Sequence, residues 1–244
     1  MWHDSCGSEK TVTPIFEQQL ARIRETLLMM ASLTDRNFNL AMRALVQRDD
    51  KLADTVEAED NQIDQLEIAV DEMVIQFMAL HAPVAKDCRF MLAASKISSN
   101  LERIADQSVG IARRARELNA EPLLKPLVDI PRMATIASEM LRDGLTAFVE
   151  VRPELARDIV KRDKLVDDIN RQLTRELTSF MLEDPGTITR ALRLMQIARY
   201  LERIADHAKN IAEEVYYLYC AADIRHEHAD DSSGSGASPA PAQG

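Results

Sequence analysis

The chain has 244 residues, enough for one large domain or two of ordinary size. Only 7 glycines and 5% aromatic residues accompany abundant Ala, Leu, Arg and Glu, a composition that favours helix over turn and strand. The 30 basic and 40 acidic residues give a net charge of −10, the wrong field for a nucleic-acid binder and the right one for cations or basic partners.

The first predicted helix opens at Thr13-Pro14, a cap and first turn, and runs to about Gln47. A second follows on the stripe Leu52, Val56, Glu59, Ile63, Leu66, Val70, Met73, Phe77 and Leu80. The loop "ALHAPVAKD" leads into a third, whose seam is Ala94, Ile97, Leu101, Ile104, Ser108, Ile111, Ala115 and Leu118. Steps of three and four in alternation give a period of 3.5, the pattern of helices packed at small crossing angles. "NAEPLLKP" (119–126) carries two prolines and no period, and reads as a linker.

The second half repeats this order. Asp129 and Pro131 open a fourth helix to about Val151. A fifth carries Leu155, Ile159, Arg162, Val166, Ile169, Leu173, Glu176 and Phe180, the second stripe displaced by 103 residues. After the shorter loop "LEDPGT", the sixth carries Leu194, Ile197, Leu201, Ile204, Ala208, Ile211, Val215 and Leu218, the third stripe displaced by 100. The fold class expected is all-α: two tandem antiparallel three-helix bundles related by internal duplication. The boundaries are an N-terminal extension 1–11, a first bundle 12–121, a second bundle 122–222, and a polar, Pro/Gly-rich tail 223–244 read as disordered.

The start "MWHDSCGSEK" has no apolar core of a signal peptide, and no run of about 18 apolar residues occurs. A membrane span is not expected, while peripheral association stays open. Cys6, Cys88 and Cys220 are far apart and odd in number, so unpaired cytosolic thiols are expected.

The hexapeptide "LERIAD" occurs at 101–106 and again at 201–206. Glu102 and Asp106 stand outside the seam, four residues apart and therefore neighbours on the helix surface. The second helix carries Asp60 and Asp64 with the same spacing. Asp163 and Asp167, then Glu202 and Asp206, repeat both pairs. Small residues (Ser98, Ala105, Ala112 and Ala198, Ala205, Ala212) border the acids and would let a neighbouring helix come close. If the pairs face each other, four carboxylates meet in each half. Like charges so placed repel, and a bound cation removes the repulsion. Carboxylates are hard ligands for Mg, Mn, Ca or Fe and also suit Zn. A single pair of this kind is ordinarily a solvated face, and the duplication singles these out. Arg103 and Arg203 are the competing source of positive charge. Asn210 and His207 are weaker candidate ligands, and "RHEHADD" (225–231) an adventitious one. There is no Glu-x-x-His on a predicted helix, no Gly-rich phosphate loop and no GxSxG, so no enzyme is indicated.

Two three-helix units, each with an early D-x-x-x-D and a late "LERIAD", resemble the PhoU family. The matching stretches are "EDNQID" with "NLERIADQSVGIA", then "KRDKLVD" with "YLERIADHAKNIAEE", and the resemblance spans roughly 12–222. Gly110 opposite Asn210, and "EDPGTITR", which lacks the Asp-x-Arg of Asp87 and Arg89, depart from a strict repeat. The resemblance implies a cytoplasmic accessory protein of high-affinity phosphate uptake that represses the phosphate-starvation response. It implies a link between the phosphate ABC transporter ATPase and a sensor histidine kinase, a homodimer, and no catalysis. It also implies multinuclear metal clusters of iron or zinc, with manganese or magnesium as alternatives. On that basis Asp60, Asp64, Glu102 and Asp106 form one site, and Asp163, Asp167, Glu202 and Asp206 the other. The readings from other classes are a metal-dependent phosphoester hydrolase and a metal-free helical scaffold.

Overall fold

A computed structural model describes residues 14–222. Within them the chain forms α1 (Pro14–Gln47), α2 (Asp50–His81), α3 (Ala85–Asn119), α4 (Asp129–Glu150), α5 (Leu155–Glu183) and α6 (Ile188–Cys220), with a 3₁₀ turn at Pro185–Thr187 and no strand. Pro14 begins α1, and Pro185 begins the turn that feeds α6, each where a missing N–H costs nothing. The linker between the halves is 120–128. The expected extension 1–11, the tail with "RHEHADD", and Cys6 lie outside the described residues. Cys88 is half-buried and Cys220 exposed, both free thiols.

The seams of α3 and α6 lie in the core, whereas Leu80 at the end of the α2 stripe is exposed. Ala94, Ile97, Leu101, Ile104, Ser108, Ile111 and Ala115 are buried on α3, and all eight seam residues from Leu194 to Leu218 are buried on α6. Each large aliphatic side chain so buried contributes about 1.5–3 kcal/mol. The small border residues Ser98, Ala105, Ala112, Ala198, Ala205 and Ala212 are also fully buried. In each half the three helices pack on one another, and α3 packs along α6 to join the halves.

Charges in the second stripe have matched partners. Glu59 of α2 pairs with Arg36 of α1, and Arg162 of α5, at the equivalent position with opposite charge, pairs with Asp143 of α4. Glu176 pairs with Lys125 of the linker. Arg48 sits at φ 56° after α1, and its Nη2 donates to the carbonyls of Asn119 (2.7 Å) and Glu121 (2.6 Å). It thereby satisfies groups that the end of α3 would leave open.

The α3–α6 contact is more polar than the seams. Lys96 Nζ donates to Glu214 Oε1 at 2.8 Å, His207 Nδ1 lies 2.9 Å from Asn100 Oδ1, and Arg193 Nε donates to Glu117 Oε2 at 2.8 Å. Numbers rise along α3 as they fall along α6, so the helices run antiparallel. At the same contact the Tyr200 ring lies over Gly110, where an added Cβ would stand 2.7 Å from Cζ. The break in the repeat at Gly110 therefore makes room for an aromatic ring of the other half.

Candidate metal-binding site

The two acid pairs of each half lie on facing sides of consecutive helices. On the α2–α3 side, Ser95 Oγ donates to Asp71 Oδ1 at 2.7 Å, and Arg116 Nη2 donates to Glu57 Oε1 at 2.8 Å. These two links bracket Asp60, Asp64, Glu102 and Asp106 between the helices. In the second half α5 and α6 place Asp163, Asp167, Glu202 and Asp206 in the same relation.

Electrostatics shows the carboxylates of the first half acting on one another. Burial pushes the Glu102 carboxyl up to about 7, helped by the negative charges of Asp106, Glu67 and Asp64 and opposed by Arg103. Burial likewise pushes Asp60 up to about 6, with Asp64 and Asp106 adding to the effect. Asp60 Oδ1 and Glu102 Oε2 are buried without a hydrogen-bond partner. Arg103 Nε comes within 3.3 Å of that Glu102 oxygen, but not in hydrogen-bonding geometry, and Arg103 is itself largely exposed. The arginine, the competing counter-charge, therefore compensates the first set only in part.

In the second half burial, with neighbouring acids adding to it, raises Asp167 and Glu202. The polar partners differ. Lys209 Nζ donates to Asp163 Oδ2 at 2.5 Å and to Asp206 Oδ1 at 2.7 Å. Burial works to lower the lysine pKa, but these two bonds outweigh it and hold the ammonium charged. Asn170 Nδ2 donates to Glu202 Oε2 at 2.9 Å. Asp163 is buried, whereas Asp106 and Asp206 are exposed.

Among the described residues no three His, Cys, Asp or Glu side chains converge closely enough to hold a metal ion as they stand. The first set nevertheless has the donor chemistry of a hard-cation site: two buried carboxylate oxygens that accept no hydrogen bond, with Asp64 and Asp106 beside them. In the second set an ammonium already bridges two of the four acids.

Three residues had not been assigned from the sequence. Glu67, seven residues after Asp60 on α2 and so on the same helix face, joins the first set. Its equivalent in the second half is Asn170. Lys209 had no signal, since the aligned residue is the buried Val109. Asn210 and His207 face Asn100 of α3 across the contact between the halves: Asn210 Nδ2 lies 3.4 Å from Asn100 Oδ1. Burial lowers the His207 pKa, against a smaller opposing effect of Asp206.

Comparison with known proteins agrees with this architecture. The family model described as the PhoU domain matches residues 27–115 and again 130–215, once in each half. The chain belongs to the PhoU family. A phosphate-specific transport system accessory protein PhoU homolog of Pseudomonas putida is 38% identical over 212 residues, covering 86% of this chain and 83% of its own length. The PhoU accessory protein of Escherichia coli K12 is 31% identical over 228 residues, covering 93% and 95%. The crystal structure of PhoU from Pseudomonas aeruginosa superposes with a TM-score of 0.83 at 36% identity, covering 85% of this chain and all of that one. The PhoU repeat thus corresponds to α1–α3 and α4–α6.

The raised carboxyls give a pH prediction for metal-free protein. Asp60 and Glu102 keep their protons to higher pH in the fold than in the unfolded chain. The folded state therefore binds more protons between about pH 4 and 7, and stability falls as pH rises through that window. Asp60→Asn with Glu102→Gln removes the effect. In EDTA-treated urea titrations the variant should match the parent near pH 4 and exceed it at pH 8. A gap independent of pH would mean the carboxyls are not perturbed.

Proposed function

We propose that this protein is a metal-binding, non-catalytic adaptor of phosphate transport. In this reading it acts as a homodimer at the cytoplasmic face of the membrane. It contacts the ATPase of a phosphate ABC transporter and a sensor histidine kinase, and represses the phosphate-starvation response. The observation that carries the metal reading is the pair of buried oxygens, of Asp60 on α2 and Glu102 on α3, that accept no hydrogen bond. The transport setting is supported by the relatives, which are named phosphate-specific transport system accessory proteins.

Asp60, Asp64, Glu102 and Asp106 would hold metal in the first half, and Asp163, Asp167, Glu202 and Asp206 in the second. Iron or zinc is the expected metal, with manganese or magnesium as alternatives. A bound cation supplies positive charge that offsets the carboxylate repulsion. The helices hold the carboxylates at fixed heights, and the buried alanines beside them let the backbones approach.

An adaptor needs surface rather than a reaction pocket. A cleft of about 380 Å³ between α1 and α4 is lined by residues such as Phe38, Met42, Ser138 and Arg142 and contains none of the eight acids. Ile75, Leu80 and Leu182 stand exposed on α2 and α5, apolar side chains suited to a protein partner. No helix among the described residues is long and apolar enough to cross a membrane, so contact with a membrane complex would be peripheral.

The test is capture of the full chain from cells grown with ample phosphate, with partners identified by mass. Recovery of the transporter ATPase and a histidine kinase is the expected result. Their absence, with the bait folded and abundant, would refute the adaptor reading.

A further inference from the structure

The two acid sets occupy equivalent positions, yet they differ in charge at two neighbouring positions. In the first half Asp60 Oδ1 has no hydrogen-bond partner, and the α3 position that could reach it is the apolar Val109. In the second half the equivalent Asp163 is buried, and Lys209 Nζ binds its Oδ2 at 2.5 Å. The same ammonium binds Asp206 Oδ1 at 2.7 Å, three residues earlier on α6. It therefore links α5 to α6 through the carboxylates that a metal would use. Asn170, where the first half has Glu67, further reduces the negative charge and donates to Glu202 at 2.9 Å.

We propose that Lys209 is a tethered competitor for the cation of the second acid set, so that the two halves bind metal unequally and the first half loads first. This rests on the reading that the acid sets are metal sites. A cation entering the first set meets the open Asp60 oxygen, and at Glu102 and Asp106 only the exposed Arg103, which stands 3.3 and 3.6 Å away without hydrogen-bonding either. A cation entering the second must break two charge-assisted hydrogen bonds and displace an ammonium that is covalently attached beside it. Lysine is suited to such a role: its charge sits at the tip of a flexible four-carbon stem, which can swing out to water without moving the helix. The second half thus remains tied at its acid set with or without metal, and the first half without metal has only the exposed Arg103 to offset its charge.

The test uses metal-stripped full-length protein and Mn²⁺, with free Mn²⁺ read by its paramagnetic resonance signal. Wild type should show two classes of site at least tenfold apart in affinity. Glu102→Ala with Asp106→Ala should remove the tighter class and leave the weaker. Adding Lys209→Met to that double variant should tighten the remaining class at least tenfold. Metal-free Lys209→Met protein should also melt lower than wild type, and Mn²⁺ should restore it, which a lysine with only a structural role would not allow.

Equal classes in wild type would overturn the proposal. So would a tight class that survives Glu102→Ala with Asp106→Ala, or a folded Lys209→Met variant of unchanged affinity. Should Lys209→Met not fold, the wild-type and Glu102/Asp106 titrations still decide which half is tight. Absence of Mn²⁺ binding in every folded protein would instead defeat the metal reading itself, a result distinct from two equal sites.

Discussion

Glu102→Ala combined with Asp106→Ala is expected to abolish the tighter metal binding while leaving the bundle folded. Both residues stand outside the α3 seam, so no core side chain is removed. Alanine is the better helix former, and a repelling i, i+4 pair disappears, so the helix itself gains a few tenths of a kcal/mol or more. The site loses two of its four carboxylates, including the buried Glu102 oxygen that accepts no hydrogen bond. Asp60 and Asp64 alone offer too few oxygens to replace the water around a hard cation, which takes six or more ligands. At limiting metal the loss should exceed half, because the second set is partly neutralised by Lys209. Metal analysis of untagged protein, alongside circular dichroism to establish folding, gives the answer. Unchanged metal in a folded variant would remove the assignment of these four residues.

Gly110→Leu is expected to destabilise the junction between the halves. The three nearest atoms to a Cβ at this position are Cζ, Cε2 and Cε1 of Tyr200, at 2.7, 2.9 and 3.0 Å. These atoms are the far end of one partly buried side chain, so relief requires the whole ring to turn away from α3. Leucine would improve helix propensity by about 1 kcal/mol, but overpacking of a well-filled contact costs about 1–3 kcal/mol and more when backbone must shift. The ring and the leucine compete for one space, and the larger effect is the clash. A net loss of about 1 kcal/mol corresponds to a fall in melting temperature of about 2–4 °C for a chain of this size. Tyr200→Ala in the same background should recover most of the loss. A melting temperature equal to wild type in the single variant would show that the α3–α6 contact tolerates widening. The break in the repeat at Gly110 would then have no steric cause.

The six helices were legible in the sequence because their information is local and periodic. Leu101, Ile104, Ile111 and their partners 100 residues later repeat every 3.5 positions, and a buried stripe of that period leaves one packing geometry available. The prolines that open α1 and precede α6 were legible for the same reason: each acts on its own turn. The eight acids were found because duplication displays them twice, although their spacing alone does not tell a solvated face from a site.

What the sequence could not show is how side chains from different helices meet. Aligning the repeats puts Lys209 opposite Val109, Asn170 opposite Glu67 and Asn210 opposite Gly110, three differences whose consequences no spacing reveals. Only the packing of α5 against α6 carries the Lys209 ammonium to both Asp163 and Asp206 and makes the two acid sets unlike. Only the antiparallel contact of α3 with α6 sets Tyr200 over Gly110 and turns Asn210 and His207 toward Asn100. That contact carries polar side chains and a glycine, which leave no hydrophobic period to read. The sequence by itself determined the helices, their cores and the candidate acids, because burial of apolar surface is written in spacing. The tertiary structure decided which charges are already compensated, because an ion pair depends on the distance between residues that the chain brings together from afar.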